Sequence, residues 1–368
     1  MKHPSLYLDW YIHVPKVKYD FRSSGIAFFR HALNLSEVDL SINYDHGNPD
    51  TLKQLGRWYD TKPENVFVSS EGASGQNARI IRYLAERSPR KREAIVEFPT
   101  YEPLLRATQE HFPTVKRLER KEKEGYRLDA DRLERIVSEE TGLLVLTNPH
   151  APSGAASDRK EVKEVMDVAN SHGFHVLCDE IYAEFNRKAV PTVFSIDQKL
   201  GITTTSFTKA YGLGGLKLGT ALADKDLIEE LYTDVLNTVG NSPNLVQIIA
   251  AEILSKSRAK LQEHKAKWSP LRIETEKWLT ENDVPYFANT LGVTYWLKLP
   301  ISDTYKWVNR KAMPKYGMVV VPGAFFLFKN DYALLKTSMA RLGIGLMDPA
   351  TSILSEALDV LKVALKYT

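Results

Sequence analysis

Cysteine, net charge and long apolar runs are all scarce in this sequence. A single cysteine, Cys178, among 368 residues excludes an internal disulfide and a cysteine-rich zinc site. It also fits a reducing compartment. The net charge of +3 gives no electrostatic reason to expect nucleic acid or an anionic membrane as partner. The longest apolar stretch, Met318 to Phe328, is broken by Pro322 and Gly323. It falls short of the roughly 20 apolar residues of a membrane helix. Met1-Lys2-His3-Pro4 leads into Tyr, Trp and Asp rather than an apolar segment, so no signal peptide is expected. Internal repeats and low-complexity blocks are lacking too. The expectation is a soluble, cytoplasmic protein.

What is present is ordinary globular material, 43% hydrophobic and 26% charged. The chain is too long for one simple core, so two domains are expected. Between about Leu52 and Leu222, short β-rich runs alternate with helical stretches. The expected strands are Val66–Ser69, Ala94–Phe98, Leu143–Thr147, His175–Asp179, Thr203–Phe207 and Leu216–Ala221. Short apolar runs bounded by Gly, Pro and polar residues suit strands buried on both faces. Val162, Val165, Met166 and Ala169 share one helical face, and Asp158 with Glu161 resembles a capping box. Leu52, Leu55 and Tyr59 mark an earlier helix. Alternating β and α predicts a mostly parallel sheet covered by helices. Beyond Ala223 the sequence turns helical and charged from about Asp226 to His264. Pro270, a further helix, strands near Thr294–Leu299 and Met318–Val321, and a closing helix over Ser352–Ala364 are expected to follow.

Four motifs carry the chemistry. Ser206-Phe-Thr-Lys209 ends a strand and enters a Gly-rich stretch that includes Lys217. A lysine at a strand end can point into the cleft where open α/β folds place ligands, and its amine can form a Schiff base with an aldehyde. Asp179-Glu180-x-Tyr182 also ends a strand. Its carboxylate could keep a pyridinium nitrogen protonated. Asn148-Pro-His-Ala-Pro-Ser-Gly154 forms a rigid turn that sets Asn148 to hydrogen-bond a ligand oxygen. Gly72-Ala-Ser74 follows a strand and opens a helix, where exposed N–H groups and the dipole favour a phosphate. Taken alone, each has a structural explanation: a solvated lysine, a helix-capping aspartate, an ordinary loop, a tight turn.

In this order, each at the C-terminal end of an expected strand, the motifs resemble those of fold type I pyridoxal-phosphate enzymes, specifically class I/II aminotransferases. The resemblance runs from about Tyr44 to the C-terminus. It implies an α/β fold: a large domain (45–262) with a mostly parallel sheet covered by helices, and a smaller α+β domain formed by the two chain ends (1–44 and 263–368). It implies pyridoxal 5'-phosphate as cofactor, with Lys209 forming the internal aldimine and then acting as general acid and base. Asp179 would pair with the pyridine nitrogen. Asn148 and Tyr182 would bond the phenolic oxygen, and Tyr101 would stack on the ring. The backbone of Gly72, Ala73 and Ser74, the Ser206 hydroxyl and the Lys217 side chain would grip the phosphate. Tyr44 matches a tyrosine reaching the phosphate of a neighbouring subunit, which implies a homodimer with shared sites; the Pro243 to Gln247 region is similar to another segment near that shared site. An amino acid and a 2-oxo acid would be the substrates. Arg341 would bind the substrate carboxylate through its planar guanidinium, with Lys336 the competing cation and the backbone near Ser24-Gly25 facing the substrate. Where most family members carry arginine, residue 217 is lysine.

Three other readings compete. Ser206-x-x-Lys209, Ser242-Pro-Asn244 and Lys336-Thr-Ser338 mimic the motif order of penicillin-binding serine acyl enzymes, without the final glycine. A β-lyase or decarboxylase would keep cofactor and fold and change the reaction. A binding protein that retained the fold is the third.

Overall fold

The computed structural model describes residues 5–27, 39, 41–288 and 292–366; residues 1–4, on which the signal-peptide expectation rests, lie outside the described residues. The described chain opens with helix α1 (Leu6–His13) and strand β1 (Tyr19–Asp20). Helix α2 (Pro49–Tyr59) starts on Asn48, whose side chain accepts the Thr51 amide, with Pro49 in the first turn. There the missing proline N–H costs nothing. An alternating run follows: β2 (Val66–Ser69), α3 (Gly72–Arg87), β3 (Glu93–Phe98), α4 (Glu102–His111), β4 (Thr114–Glu119), α5 (Ala130–Glu134), β5 (Thr141–Thr147), α6 (Arg159–His172), β6 (His175–Asp179), α7 (Val193–Ile196), β7 (Gly201–Ser206) and β8 (Gly219–Leu222). The expected capping box closes the N-terminus of α6: Asp158 accepts the Glu161 amide while the Glu161 side chain accepts the Asp158 amide.

These strands form one sheet in the order β2-β8-β7-β6-β5-β3-β4. All run the same way except β8, which is antiparallel to both β2 and β7. All six expected strands form, with edges shifted for β3, β5, β7 and β8. Strand β4 was not expected. Its residues Thr-Val-Lys-Arg-Leu-Glu bury only Leu118, as befits an edge strand, and so lack an apolar run. The inner strands β8, β7, β6, β5 and β3 are buried along nearly their whole length, because α-helices cover both faces.

Helix α8 (Lys225–Thr238) and helix α9 (Asn244–Glu281) lead out of this sheet. Pro270 does not separate two helices as the sequence suggested; it sits inside α9. An interior proline forfeits a backbone hydrogen bond, at a cost of about 3 kcal/mol. Burial of Trp268, Leu271 and Leu279 around it offsets that, at about 1.5–3 kcal/mol per buried large side chain. The rest comprises β9 (Tyr286–Ala288), β10 (Thr294–Lys298), α10 (Thr304–Trp307), α11 (Met313–Tyr316), β11 (Met318–Val319), β12 (Val321–Pro322), β13 (Met339–Gly343) and α12 (Ile353–Lys366). Strands β12-β13-β10-β9 make a small antiparallel sheet, and β1 pairs with β11, so the two chain ends meet. Among the described residues no helix is long and apolar enough to cross a membrane, and no cluster of metal-ligating side chains occurs.

Candidate active site

A parallel sheet delivers every strand's C-terminal end to the same edge, and β2, β5, β6 and β7 here release Gly72, Asn148, Asp179 and Lys209 along it. Gly72 adopts a left-handed φ of 67°, which glycine tolerates without a Cβ penalty. Its N–H donates to the Lys217 carbonyl at 2.6 Å. Gly219 must also be small, since a Cβ there would lie 2.6 Å from the Gly72 carbonyl oxygen. These contacts hold the N-terminus of α3 beside the Lys217 loop. No side chain caps that helix, so, with the Gly72 N–H taken by Lys217, the next amides, at Ala73 and Ser74, remain available to an anion.

A cavity of about 310 Å³ opens at this edge. Gly72, Ala73, Ser74, Tyr101, Asp179, Tyr182, Lys209, Lys217 and Arg341 all line it. Lys209 is half-buried, and its Nζ donates to the Ser24 hydroxyl at 2.8 Å. Burial lowers its pKa to about 8, reinforced by Arg341 and Lys217 and opposed by Tyr7 and Asp179. The amine is therefore partly neutral near pH 8, as a nucleophile must be. Burial acts oppositely on Asp179 and pushes its carboxyl up. The Ile181 N–H, 3.1 Å from Oδ1, and the Asn77 amide, 2.8 Å from Oδ2, work against that and favour the anion.

Asn148 is buried but does not reach the cavity wall. Its amide closes its own loop, donating to the Ser157 carbonyl at 3.2 Å and accepting the Ser157 N–H at 2.9 Å. Arg120 braces the same loop by donating to the Thr147 carbonyl and the Ser157 hydroxyl. Arg120 is itself paired with Glu97 at 2.9 Å, and both are buried. Burial raises the Glu97 carboxyl to about 7 despite that partner. His150 ties this loop to the next: one ring nitrogen meets the Pro99 carbonyl and the other the Ser153 hydroxyl.

Several expected residues lie behind or away from the wall. Ser206 is fully buried and donates to the Leu218 carbonyl at 2.7 Å; a hydroxyl so engaged is no nucleophile, which removes the support for a serine acyl enzyme. Gly25 packs against the Lys209 backbone, where a Cβ would lie 2.9 Å from Cα, while its neighbours Ser23 and Ser24 line the cavity. Lys336 is exposed, whereas Arg341 is buried in the wall. Tyr44 precedes α2 and lies outside its own chain's cavity. The Pro243 to Gln247 region packs on that same α2 start, where Gln247 accepts the Asn48 N–H and Asn244 the Asn48 side-chain amide.

The roof of the cavity escaped sequence reading. Helix α1 contributes Tyr7, Leu8 and Tyr11 to the lining. Its N-terminus is fixed by the buried carboxylate of Glu102, which accepts the Ser5 hydroxyl and the Leu6 and Tyr7 N–H groups. Arg341 Nη2 donates to the Tyr7 hydroxyl at 3.0 Å and to the Arg22 carbonyl at 2.9 Å, while its buried Nε–H has no acceptor. An orphan guanidinium donor in a cavity wall calls for an anionic partner. The residues around Tyr7 carry no periodic or motif signal that could have disclosed this role.

One cavity thus joins a part-neutral amine, a buried carboxylate, an uncapped helix N-terminus and two further cations. That donor set fits an aldehyde carrying a phosphate and a protonatable ring nitrogen. With the α/β fold around it, the site defines the class of fold type I pyridoxal-phosphate enzymes. Residues 35–352 match the family model for aminotransferase class I and II, and the chain belongs to that family. A histidinol-phosphate aminotransferase of Methanococcus maripaludis is 22% identical over 183 residues, 50% of this chain and 48% of the relative. Capreomycidine synthase of Streptomyces vinaceus is 28% identical over 242 residues, 64% of this chain and 61% of the relative. The chain spans about half the length of the curated relatives it matches. The solved structure of a PLP-dependent aminotransferase from Streptococcus suis superposes with a TM-score of 0.86 at 21% identity, covering 100% of this chain and 99% of that one. That likeness establishes the fold.

Proposed function

We propose that this chain is a pyridoxal-phosphate-dependent aminotransferase that moves an amino group from an L-amino acid to a 2-oxo acid. The observation that carries the reading is Lys209: a half-buried amine, held at about 8, in one cavity with Asp179 and Arg341. When bound, the cofactor supplies an electron sink that stabilises negative charge at the substrate Cα.

The chain's own residues supply the rest. The Lys209 amine would hold the aldehyde and would move the proton at the substrate carbon. Asp179 keeps the ring nitrogen protonated. Tyr182 bonds the phenolic oxygen, with Asn148 holding the loop behind it, and Tyr101 covers the ring. The Ala73 and Ser74 amides of α3 hold the phosphate with the Lys217 side chain, while Gly72, its N–H given to the Lys217 carbonyl, and Ser206 fix the turn beneath. Lysine at 217 grips as a point charge and lacks the two-pronged bonding of arginine. The Arg341 Nε–H, orphaned within the protein, takes the substrate carboxylate, and the roof formed by Tyr7, Leu8 and Tyr11 excludes water from the reacting carbon.

We also propose a homodimer, with Tyr44 of one protomer serving the other's phosphate, and a cytoplasmic location. The position of Tyr44 outside its own cavity, together with the bonds from nearby Asn48 to the 243–247 segment, supports the first. The second rests on the single cysteine.

An amino-donor screen with 2-oxoglutarate and pyruvate as acceptors tests the function. Amino transfer coupled to both half-reactions is expected. Release of pyruvate and ammonia without an acceptor would assign a β-lyase instead, and a colourless protein that takes up no pyridoxal phosphate would end the proposal.

A further inference from the structure

Asp179 can serve a ring nitrogen only if it stays ionised in a site where burial favours its neutral form. Of its two hydrogen-bond donors, the Ile181 N–H belongs to the local turn. The other, Asn77 Nδ2 at 2.8 Å, comes from the second turn of α3, 102 residues away in sequence. Asn77 is itself buried, and its Oδ1 accepts the Thr204 hydroxyl at 2.5 Å. Thr204 lies on β7 directly across from Asp179 on β6.

An amide can present either end to a neighbour, so its orientation has to be imposed. Here the carboxylate imposes one, and the Thr204 hydroxyl is placed to match it. A carboxylate accepts and cannot donate, so it requires the NH₂ end. The Thr204 hydroxyl donates to the oxygen end and holds it away from Asp179. Reversal would set the amide oxygen against the carboxylate oxygen. Beyond these donors, the Lys209 amine is the charge that favours the Asp179 anion. It acts at longer range and is neutral part of the time.

We propose that Asn77, supported by Thr204, is a positioning residue that keeps Asp179 ionised and aimed, so that the proton resides on the cofactor's ring nitrogen rather than on the carboxyl. No group on Asn77 or Thr204 touches the reacting atoms; both act through Asp179. The inference rests on the cofactor reading given above.

The test is the ¹⁵N chemical shift of the ring nitrogen in holoenzyme reconstituted with ¹⁵N-labelled pyridoxal 5'-phosphate, for wild type, Asn77→Leu and Thr204→Val. Wild type should give a protonated signal. Asn77→Leu should move it toward the neutral pyridine position and lower kcat/KM about ten- to a hundredfold, the range for losing a hydrogen bond to a charged group. Thr204→Val removes only a hydroxyl and should move the signal the same way by a smaller amount. If the leucine variant does not fold, the valine variant decides alone. An unmoved nitrogen signal in the variants overturns the proposal, whether activity holds or falls, since lost activity with an unchanged signal means a purely structural role. Failure of wild type to bind the labelled cofactor at all would overturn the functional reading instead.

Discussion

Tyr7 and Arg341 stand 334 positions apart in sequence and share a 3.0 Å hydrogen bond, the guanidinium donating to the phenol oxygen. The bond fixes the planar fork of Arg341, whose buried Nε–H has no acceptor within the protein. Tyr7→Phe should therefore raise KM for the amino acid about tenfold or more, the scale of a hydrogen bond to a buried charge, with a smaller change in kcat. Steady-state kinetics check this. Equal KM in the two proteins would show that Tyr7 does not set the carboxylate site.

Glu102 gives a prediction about the roof as a whole. Its buried carboxylate holds three donors of the α1 N-terminus and also pairs with Arg106 at 2.8 Å. Glu102→Ala removes that anchor. Hydrogen exchange at the Leu6 and Tyr7 amides should accelerate, and KM should rise as it does for Tyr7→Phe. The lost buried network should cost about 3–5 kcal/mol in unfolding free energy. Protection of those amides equal to wild type would mean that α1 is held by other contacts.

The depressed pKa of Lys209 has a pH signature. A lysine at about 8 is roughly one-tenth neutral at pH 7, a few hundredfold more than an ordinary lysine near 10.4. The neutral amine is the nucleophile, so the rate of cofactor uptake by cofactor-free enzyme should rise with pH and level off above about 8. The near-visible absorbance that develops on adding pyridoxal 5'-phosphate measures this. Lys209→Ala should develop none. A midpoint near 10 in wild type would contradict the burial argument.

Lys217 has a left-handed φ of 53° and a carbonyl bonded to Gly72, so its backbone shapes the α3 entrance while its side chain lines the cavity. Lys217→Ala should preserve the turn and weaken cofactor affinity about ten- to a hundredfold, by analogy with other charge-assisted contacts. Equilibrium dialysis of pyridoxal 5'-phosphate reads it directly. Unchanged affinity would leave the phosphate to the α3 amides alone.

The sequence by itself determined the large sheet and the residues at its edge. Strand and helix periods are local, and a parallel sheet sends every strand's C-terminal end to one side. Lys209, Asp179 and Gly72 therefore had to meet once the alternation was recognised. Edge strand β4 was illegible because an edge needs no apolar run, and the continuation of α9 through Pro270 because packing outweighs a local penalty. Tertiary structure alone decided the roof and the buried supports. Tyr7 reaches Arg341, Glu102 holds α1, and Asn77 reaches Asp179 through contacts that join distant segments. Such contacts depend on where helices dock, and docking leaves no period or spacing in the chain.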